Sequence, residues 1–105
     1  VQEYEDVKPK LLKMGSTTFH CGPVGSGQLT KMVNNLMLAI SMLGISEVFH
    51  LGMKAGLDPS ILLKVLNSST GKCWVTEKYC PVPGQHSTSP ASNNYNGGFA
   101  SKLML

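Results

Sequence analysis

The residues best suited to chemistry lie at the start of one long apolar segment. Gln28, Lys31, Asn34 and Asn35 open a run that is otherwise dominated by Leu, Met, Ile and Val. Because residues three and four apart share one face of a helix, Lys31 is expected beside both asparagines. A lysine that a neighbouring domain buries can transfer protons, and amide side chains can hydrogen-bond a hydroxyl or carboxylate. From composition alone, a solvated lysine among polar helix-start residues is the favoured interpretation, and a proton-transfer site is the alternative.

A glycine-rich loop precedes these residues. Gly22, Gly25 and Gly27 have the spacing G-x-x-G-x-G, which reverses the order of the dinucleotide-binding fingerprint G-x-G-x-x-G. That fingerprint also lies in a βαβ unit, whereas a long helix with no second strand follows here. The loop is therefore predicted to make a sharp turn into the helix and to allow close approach of a ligand or a neighbouring domain.

Composition argues against several classes of protein. The 105 residues allow one domain at most, or a piece of a larger one. Nine lysines and no arginine give a thinly spread net charge of +3, which argues against nucleic-acid binding, where arginine reads bases and clamps phosphates. The apolar uncharged run at residues 32–46 contains polar side chains and is shorter than the roughly 20 residues that a membrane span needs. Neither nucleic acid nor a membrane is expected as a partner.

The cysteines predict neither a disulfide scaffold nor a metal site. Cys21, Cys73 and Cys80 are odd in number and form no C-x-x-C pair, which favours a reducing compartment. A zinc site could be written from these three residues and His86, but its spacing matches no common zinc motif. No metal is therefore predicted.

Hydrophobic periodicity predicts a mainly α-helical chain. We expect a helix over residues 1–14 ended by Gly15, a strand over residues 17–21, and a long helix over residues 28–55 closed by Gly56. Asp58 and Pro59 should open a further helix that runs to about Asn67. Its predicted buried face is Ile61, Leu62, Val65 and Leu66. A short helix is expected over residues 72–79, then a loop over residues 85–98 with almost nothing to bury.

Two of these elements need partners that the chain does not supply. A lone strand cannot satisfy its backbone hydrogen bonds, and no later segment resembles a partner for residues 17–21. The long helix is apolar on nearly all sides, so a second domain or subunit should cover it. Residues 1–21 are therefore predicted to be the tail of a neighbouring α/β domain, and residues 22–105 to form a truncated helical domain.

The pattern Gly22-x-x-Gly25-x-Gly27-x-x-x-Lys31-x-x-x-Asn35 resembles the catalytic signature of the β-hydroxyacid dehydrogenase family. Residues 34–42, 56–59, 69–74, 81–84 and 93–99 extend the resemblance over nearly the whole chain and point to the 3-hydroxyisobutyrate dehydrogenase branch. The fold that this implies is a 6-phosphogluconate-dehydrogenase-like C-terminal helical domain with a long connecting helix. The last helix and strand of an NAD-binding Rossmann domain would precede it.

The resemblance also implies a reaction and roles for particular residues. The reaction is NAD-dependent oxidation of a small β-hydroxy acid to its semialdehyde, as in valine catabolism, with the cofactor bound mainly by the absent Rossmann domain. Lys31 would be the catalytic acid and base, and Asn34, Asn35 and Phe99 would bind substrate. The three loop glycines would form the domain junction. A cofactor-binding lysine usually follows the segment matching residues 103–105, so the 105 residues alone are expected to be inactive.

Two other functions remain open from the sequence. One is a relative that reduces tartronate semialdehyde or glyoxylate, because residues outside this chain contribute to substrate choice. The other is a non-catalytic helical assembly module that dimerises through the long helix. Under the dehydrogenase interpretation the partners are a small hydroxy-acid substrate and further copies of the chain, contacted through the helical domain. The family implies a mitochondrial location, and the cytoplasm otherwise.

Overall fold

The structure, a computed structural model, describes residues 1–98. Within them it contains the helices α1 (Gln2–Leu11), α2 (Ser26–Lys54), α3 (Pro59–Asn67) and α4 (Trp74–Lys78), and a 3-10 turn at Pro90–Asn93. These residues include no strand, so the mainly helical prediction is confirmed. The chain divides into two compact units, Val1–Asn35 and a second that begins at Leu36.

The strand predicted over residues 17–21 is not formed. The segment has no regular secondary structure, because a strand requires ladder hydrogen bonds and this part of the chain has no strand to pair with. Side-chain contacts hold it instead. The hydroxyl groups of Tyr4 and Thr18 are hydrogen-bonded at 2.7 Å, and the ring centroids of Tyr4 and His20 lie 5.3 Å apart. The segment is therefore attached to α1 through one tyrosine.

The ends of the first two helices differ slightly from the predicted ones. Helix α1 ends at Leu11, three residues early, and Gly15 does not adopt the left-handed backbone of a C-cap glycine. Helix α2 does end as predicted, since Gly56 has a φ of +88° and the Leu57 amide donates to the Gly52 carbonyl oxygen at 2.9 Å. This is the six-residue hydrogen bond of a Schellman motif.

The core of the second unit is small. It consists of side chains from α2, α3, α4 and the residues just after α4, namely Ile45, Phe49, Leu63, Val75 and Cys80. Gly52 permits the close approach of α2 to α3, because a Cβ there would lie 2.7 Å from Cδ2 of Leu62. The long helix is thus anchored by its C-terminal half.

Helix α3 begins as predicted and buries only part of the predicted face, since Leu62 and Leu66 pack against the core cluster. The Asp58 carboxylate accepts hydrogen bonds from the amides of Ser60 and Ile61 at 2.8 and 3.1 Å, which makes it the N-cap. Ile61 and Val65 are exposed, however, and Leu63 is buried. Every position from 61 to 63 is apolar, so periodicity alone did not determine which side of this short helix faces the core.

The segment predicted to bury almost nothing contributes two buried residues. Ser89 is 2% exposed and Ala91 is 4% exposed. His86 reaches back to the Thr76 carbonyl oxygen with Nε2 at 2.9 Å, and Asn67 donates to the same oxygen at 3.1 Å. The prediction was wrong because small polar side chains can be buried when backbone carbonyl groups supply their hydrogen bonds.

Much of α2 is apolar and exposed. Five of its large side chains in the second unit are between 56% and 70% exposed: Leu36, Met37, Ile40, Leu43 and Leu51. An 18-residue window of α2 has a mean hydropathy of 1.6, and only 17% of that window is buried. By length and composition α2 could therefore cross a membrane, contrary to the expectation based on its uncharged run. The same surface fits a helix that another domain or subunit covers.

Candidate functional site

Three of the four side chains singled out for chemistry, Lys31, Asn34 and Asn35, lie together near the start of α2. Lys31 is five residues into the helix, about 7 Å along its axis from Ser26, and Asn35 is about 6 Å further. At 100° per residue, Asn34 and Asn35 flank Lys31 within about 60° of arc. All three are exposed. The fold of the first unit therefore presents them on one open face of α2.

The turn that leads into α2 requires two of the three loop glycines. Gly22 has a φ of +127° and Gly25 a φ of +94°, both in the region that side-chain-bearing residues rarely adopt. A Cβ at Gly22 would also lie 3.0 Å from the Ser26 hydroxyl oxygen. Gly27 has ordinary helical geometry. The sharp turn predicted for this loop is thus confirmed, and it depends on the first two glycines.

The first turn of α2 has free amide groups. The Ser26 amide donates to Pro23 and the Leu29 amide donates to Gly25, at 3.0 and 3.1 Å. Within residues 1–98, the amides of Gly27 and Gln28 have no such backbone acceptor, and the first turn contains no acidic residue. Free amides at a helix start favour an anion. This end of α2 therefore suits the carboxylate of a small acid or an anionic cofactor group.

Lys31 is exposed to solvent and forms no ion pair with another described residue. The ion pairs found among residues 1–98 join Lys8 to Glu5 and Lys72 to Glu77, and neither involves Lys31. Proton transfer at a lysine is effective in a site from which water is excluded. Because the first unit leaves this amine in solvent, any active site here needs a further wall from outside that unit.

The second unit carries a separate shallow groove of about 420 Å³. Phe49, His50 and Met53 of α2 form one side, and Pro81, Pro83 and Tyr95 are on the other. Its lining is mainly apolar, and it includes none of the residues that the sequence suggested for chemistry. His50 was expected on the surface of the long helix, and it is exposed there.

The cysteines differ in environment. Cys21 is exposed, Cys73 is half-buried and Cys80 is fully buried. Burial raises the pKa of the Cys80 thiol, although the backbone at Val82 opposes this. Among residues 1–98, no group of three or more His, Cys, Asp or Glu side chains could hold a metal ion.

The remaining predicted residue and one unpredicted feature lie near the end of the chain. Phe99 falls outside the described residues. Just before it, Asn94 and Tyr95 have φ values of +51° and +59°. Asparagine and glycine tolerate positive φ, so the sequence Asn-Asn-Tyr-Asn-Gly-Gly indicates a turn with left-handed backbone. Nothing in the sequence indicates that the tyrosine itself has a positive φ.

Comparison with known proteins first identifies the class of domain. The family described as NAD-binding of NADP-dependent 3-hydroxyisobutyrate dehydrogenase matches residues 25–105, which include α2, α3 and α4. The helical unit and the Lys31 region thus correspond to an NAD-binding domain of a dehydrogenase. The family description assigns NAD binding to this helical segment. The sequence analysis had predicted that the cofactor is bound mainly by a Rossmann domain outside this chain.

Individual relatives then specify the family. The chain is 54% identical over 91 residues to the mitochondrial 3-hydroxyisobutyrate dehydrogenase of Rattus norvegicus, covering 87% of this chain and 27% of the relative. A probable mitochondrial 3-hydroxyisobutyrate dehydrogenase of Arabidopsis thaliana is 50% identical over 101 residues, covering 96% and 29%. The chain belongs to the 3-hydroxyisobutyrate dehydrogenase family, in agreement with the resemblance read from its sequence.

A solved structure supports the same assignment. The structure of 3-hydroxyisobutyrate dehydrogenase from Mycobacterium tuberculosis with L-serine superposes with a TM-score of 0.86 at 41% identity. It covers 95% of this chain, which spans only 34% of the Mycobacterium protein. The chain therefore spans about a third or less of the length of these relatives.

Proposed function

We propose that this chain is the C-terminal helical part of an NAD-dependent dehydrogenase that oxidises 3-hydroxyisobutyrate to its semialdehyde. Residues 22–105 would form the 6-phosphogluconate-dehydrogenase-like domain, and residues 1–21 the end of a Rossmann domain. Family membership over residues 25–105 supports this proposal, as do relatives named for the same activity. Residues 17–21 have the composition of a strand but find no strand to pair with among residues 1–98. This is consistent with a strand that belongs to a sheet in another part of a longer protein.

The observation that carries the proposal is the arrangement of Lys31 and Asn35 one helical turn apart, beyond a glycine turn with free helix-start amides. Lys31 in its neutral form takes the proton of the substrate hydroxyl group, and in the reverse direction its ammonium returns that proton. The amides of Asn34 and Asn35 hydrogen-bond the substrate, and the free amides of α2 attract its carboxylate. A bound NAD would supply the hydride acceptor for the carbon that carries this hydroxyl group.

The exposure of Lys31 defines what the rest of the enzyme must do. The Rossmann domain would cover the start of α2, exclude water and present the cofactor to the substrate. Gly22, Gly25 and Gly27 would form the junction between the two domains. Phe99 would complete the substrate site. Placing two domains around one helix start explains why the part of the chain described here leaves the lysine open.

The apolar surface of α2 supports a homo-oligomer. Leu36, Ile40 and Leu43 recur at four- and three-residue intervals and are all more than half exposed, which suits helix packing against a second copy. The mitochondrial names of relatives support a mitochondrial location. The role in valine catabolism is what the family resemblance implies.

The decisive experiment substitutes Lys31 in the complete enzyme. Lys31→Ala should lower kcat by roughly 100-fold or more, the usual size of a general acid–base contribution, without changing the oligomer. Lys54→Ala is the matched control, since Lys54 is an exposed lysine at the other end of the same helix. Near wild-type turnover of Lys31→Ala would contradict the proposal.

The same preparation separates the rival functions. Rates with 3-hydroxyisobutyrate, tartronate semialdehyde and glyoxylate, each with NAD(H) and NADP(H), distinguish the dehydrogenase from a semialdehyde or glyoxylate reductase. The exposed face of α2 favours an assembly module as the second candidate. Such a module would show no turnover and would tolerate Lys31→Ala while depending on Leu43 for association.

A further inference from the structure

The six asparagines of the chain differ in the backbone amide that follows each of them. Five of these amides are held by hydrogen bonds. The amides of residues 35 and 36 lie inside α2, where each donates to a carbonyl group four residues earlier. The other three donate to carbonyl oxygens of earlier residues, namely Ser68 to Lys64 and both Asn94 and Tyr95 to Pro90. The amide of Gly97, which follows Asn96, donates no backbone hydrogen bond within residues 1–98.

The side chain of Asn96 is not held in place either. It is exposed and forms no hydrogen bond with another of the described residues. The side chains of Asn67 and Asn93, by contrast, donate to the carbonyl oxygens of Thr76 and Asn96, at 3.1 and 3.3 Å. Gly97 has no side chain to shield its nitrogen, and apart from its chain neighbours no described atom lies within 4 Å of where a Cβ would be. The side-chain carbonyl carbon of Asn96 can therefore meet the nitrogen that follows it.

An unbonded amide after an asparagine permits a specific covalent reaction. The Gly97 nitrogen loses its proton and attacks the side-chain carbonyl carbon of Asn96, which forms a C–N bond and closes a cyclic imide. The bond from that carbon to the side-chain nitrogen breaks, and this nitrogen leaves with the proton as ammonia. Water then opens the ring at either carbonyl group, which gives aspartate or isoaspartate. The reaction consumes only water and changes no oxidation state.

The fold also places a hydrogen-bond donor where this reaction develops charge. When the Gly97 nitrogen loses its proton, the Asn96 carbonyl oxygen shares the negative charge of the peptide group. The Asn93 side chain donates to that oxygen at 3.3 Å, and a hydrogen bond to a charged form stabilises it. The Asn96 amide donates in turn to the Asn93 carbonyl oxygen at 2.9 Å, so the backbone keeps the two residues together.

We propose that Asn96 is a site of spontaneous deamidation, and that the folded turn accelerates the reaction through the Asn93 side chain. Each conversion replaces a neutral amide by a carboxylate and lowers the net charge of +3 by one. The isoaspartate product also adds a CH₂ group to the backbone of the turn, in which the Tyr95 hydroxyl donates to the Pro81 carbonyl oxygen at 3.1 Å. The proposal does not depend on dehydrogenase activity.

The test follows three neighbouring asparagines during incubation of the complete protein at mildly alkaline pH. Trypsin releases residues 79–102 as one peptide that contains Asn93, Asn94 and Asn96, and fragmentation in a mass spectrometer locates the converted residue. Asn96 should be converted at least about tenfold faster than the other two, since the amides after those are hydrogen-bonded. Asn96→Gln should abolish conversion at this position, because glutamine would have to close a larger ring. Conversion of Asn96 no faster than that of Asn94 would overturn the assignment.

A second variant tests the role of Asn93. Asn93→Ala removes the donor to the Asn96 carbonyl oxygen, so conversion of Asn96 in the folded protein should slow about two- to tenfold, the range for one hydrogen bond. In guanidinium chloride, where the turn is absent, the wild type and Asn93→Ala should be converted at equal rates. Equal rates in the folded proteins, or the same slowing in folded and unfolded forms, would overturn the role of Asn93. The wild-type comparison of Asn96 with Asn94 needs no variant and decides the site even if Asn93→Ala fails to fold.

Discussion

The Ser89 hydroxyl donates a hydrogen bond to the Cys80 carbonyl oxygen at 2.9 Å, and both residues are almost fully buried. This bond joins the start of the 3-10 turn to the residue that follows α4 in the core cluster. A segment rich in small polar residues is thereby made part of the folded unit, because a buried carbonyl group must find a donor.

Removing this hydroxyl should destabilise the second unit. Ser89→Ala leaves the Cys80 carbonyl oxygen without its donor, so the free energy of unfolding should fall by about 1–3 kcal/mol. Ser87→Ala is the matched control, since Ser87 is exposed two residues earlier, and it should change stability little. Urea denaturation of both variants measures the difference. Equal stabilities would show that the buried hydrogen bond contributes nothing.

Adjacent substitutions in α2 should separate folding from association. Met42 packs against the core cluster and is half-buried, whereas Leu43 is 70% exposed. Met42→Glu would place a charge against apolar side chains, so it should unfold the domain. Leu43→Glu should leave the circular dichroism of the chain unchanged and abolish self-association in sedimentation experiments. An oligomer that survives Leu43→Glu would contradict the proposed use of this α2 surface.

The N-cap of α3 should make stability depend on pH. The pKa of Asp58 is lowered from its ordinary value of 3.8, first by the Ser60 hydroxyl and next by the Ile61 amide, which donate to the carboxylate. A lowered pKa in the folded state means that this stabilisation is present above pH 3.8 and is lost as the pH falls through the lower folded value.

Thermal unfolding of Asp58 variants tests this dependence. Asp58→Ala should have a lower Tm than the wild type at pH 7, and the difference should shrink below pH 3.8. Asp58→Asn is the control because asparagine caps helices without titrating. Its Tm should follow that of the wild type at pH 7. A Tm difference between wild type and Asp58→Ala that is constant from pH 7 to pH 2 would refute the capping role of the carboxylate.

The cysteines should react with iodoacetamide in the order of their exposure. Cys21 is exposed and should be alkylated first, followed by the half-buried Cys73. Cys80 has no exposed surface, and burial raises its pKa, so it should react only after denaturation. Mass spectrometry of the native and denatured chain gives the order. Rapid native labelling of Cys80 would contradict the described core.

Local chemistry was enough to predict most helix boundaries. The helix after Asp58 and Pro59 begins and ends where the sequence indicated, and Gly56 ends α2 with the expected left-handed backbone. Caps and stops depend on residues within one turn of the helix end, so they are visible in the sequence. The grouping of Lys31, Asn34 and Asn35 was predictable for the same reason, because helix periodicity alone brings them together.

Features that depend on distant partners were not predictable in this way. Residues 17–21 have the composition of a strand, but a strand needs neighbours to pair with. Helix α3 has apolar residues on several sides, and only packing selected Leu63 over Ile61 for burial. The burial of Ser89 depends on a carbonyl group nine residues earlier in the chain.

The order of amino acids by itself determined the helices, the glycine turn and the face that carries the lysine and its two amides, since all of these arise from interactions within a few residues. The tertiary structure alone decided which apolar side chains reach the core, how polar residues are buried near the 3-10 turn, and that Tyr95 adopts left-handed backbone. These outcomes depend on contacts between segments far apart in the chain, and no local pattern encodes such contacts.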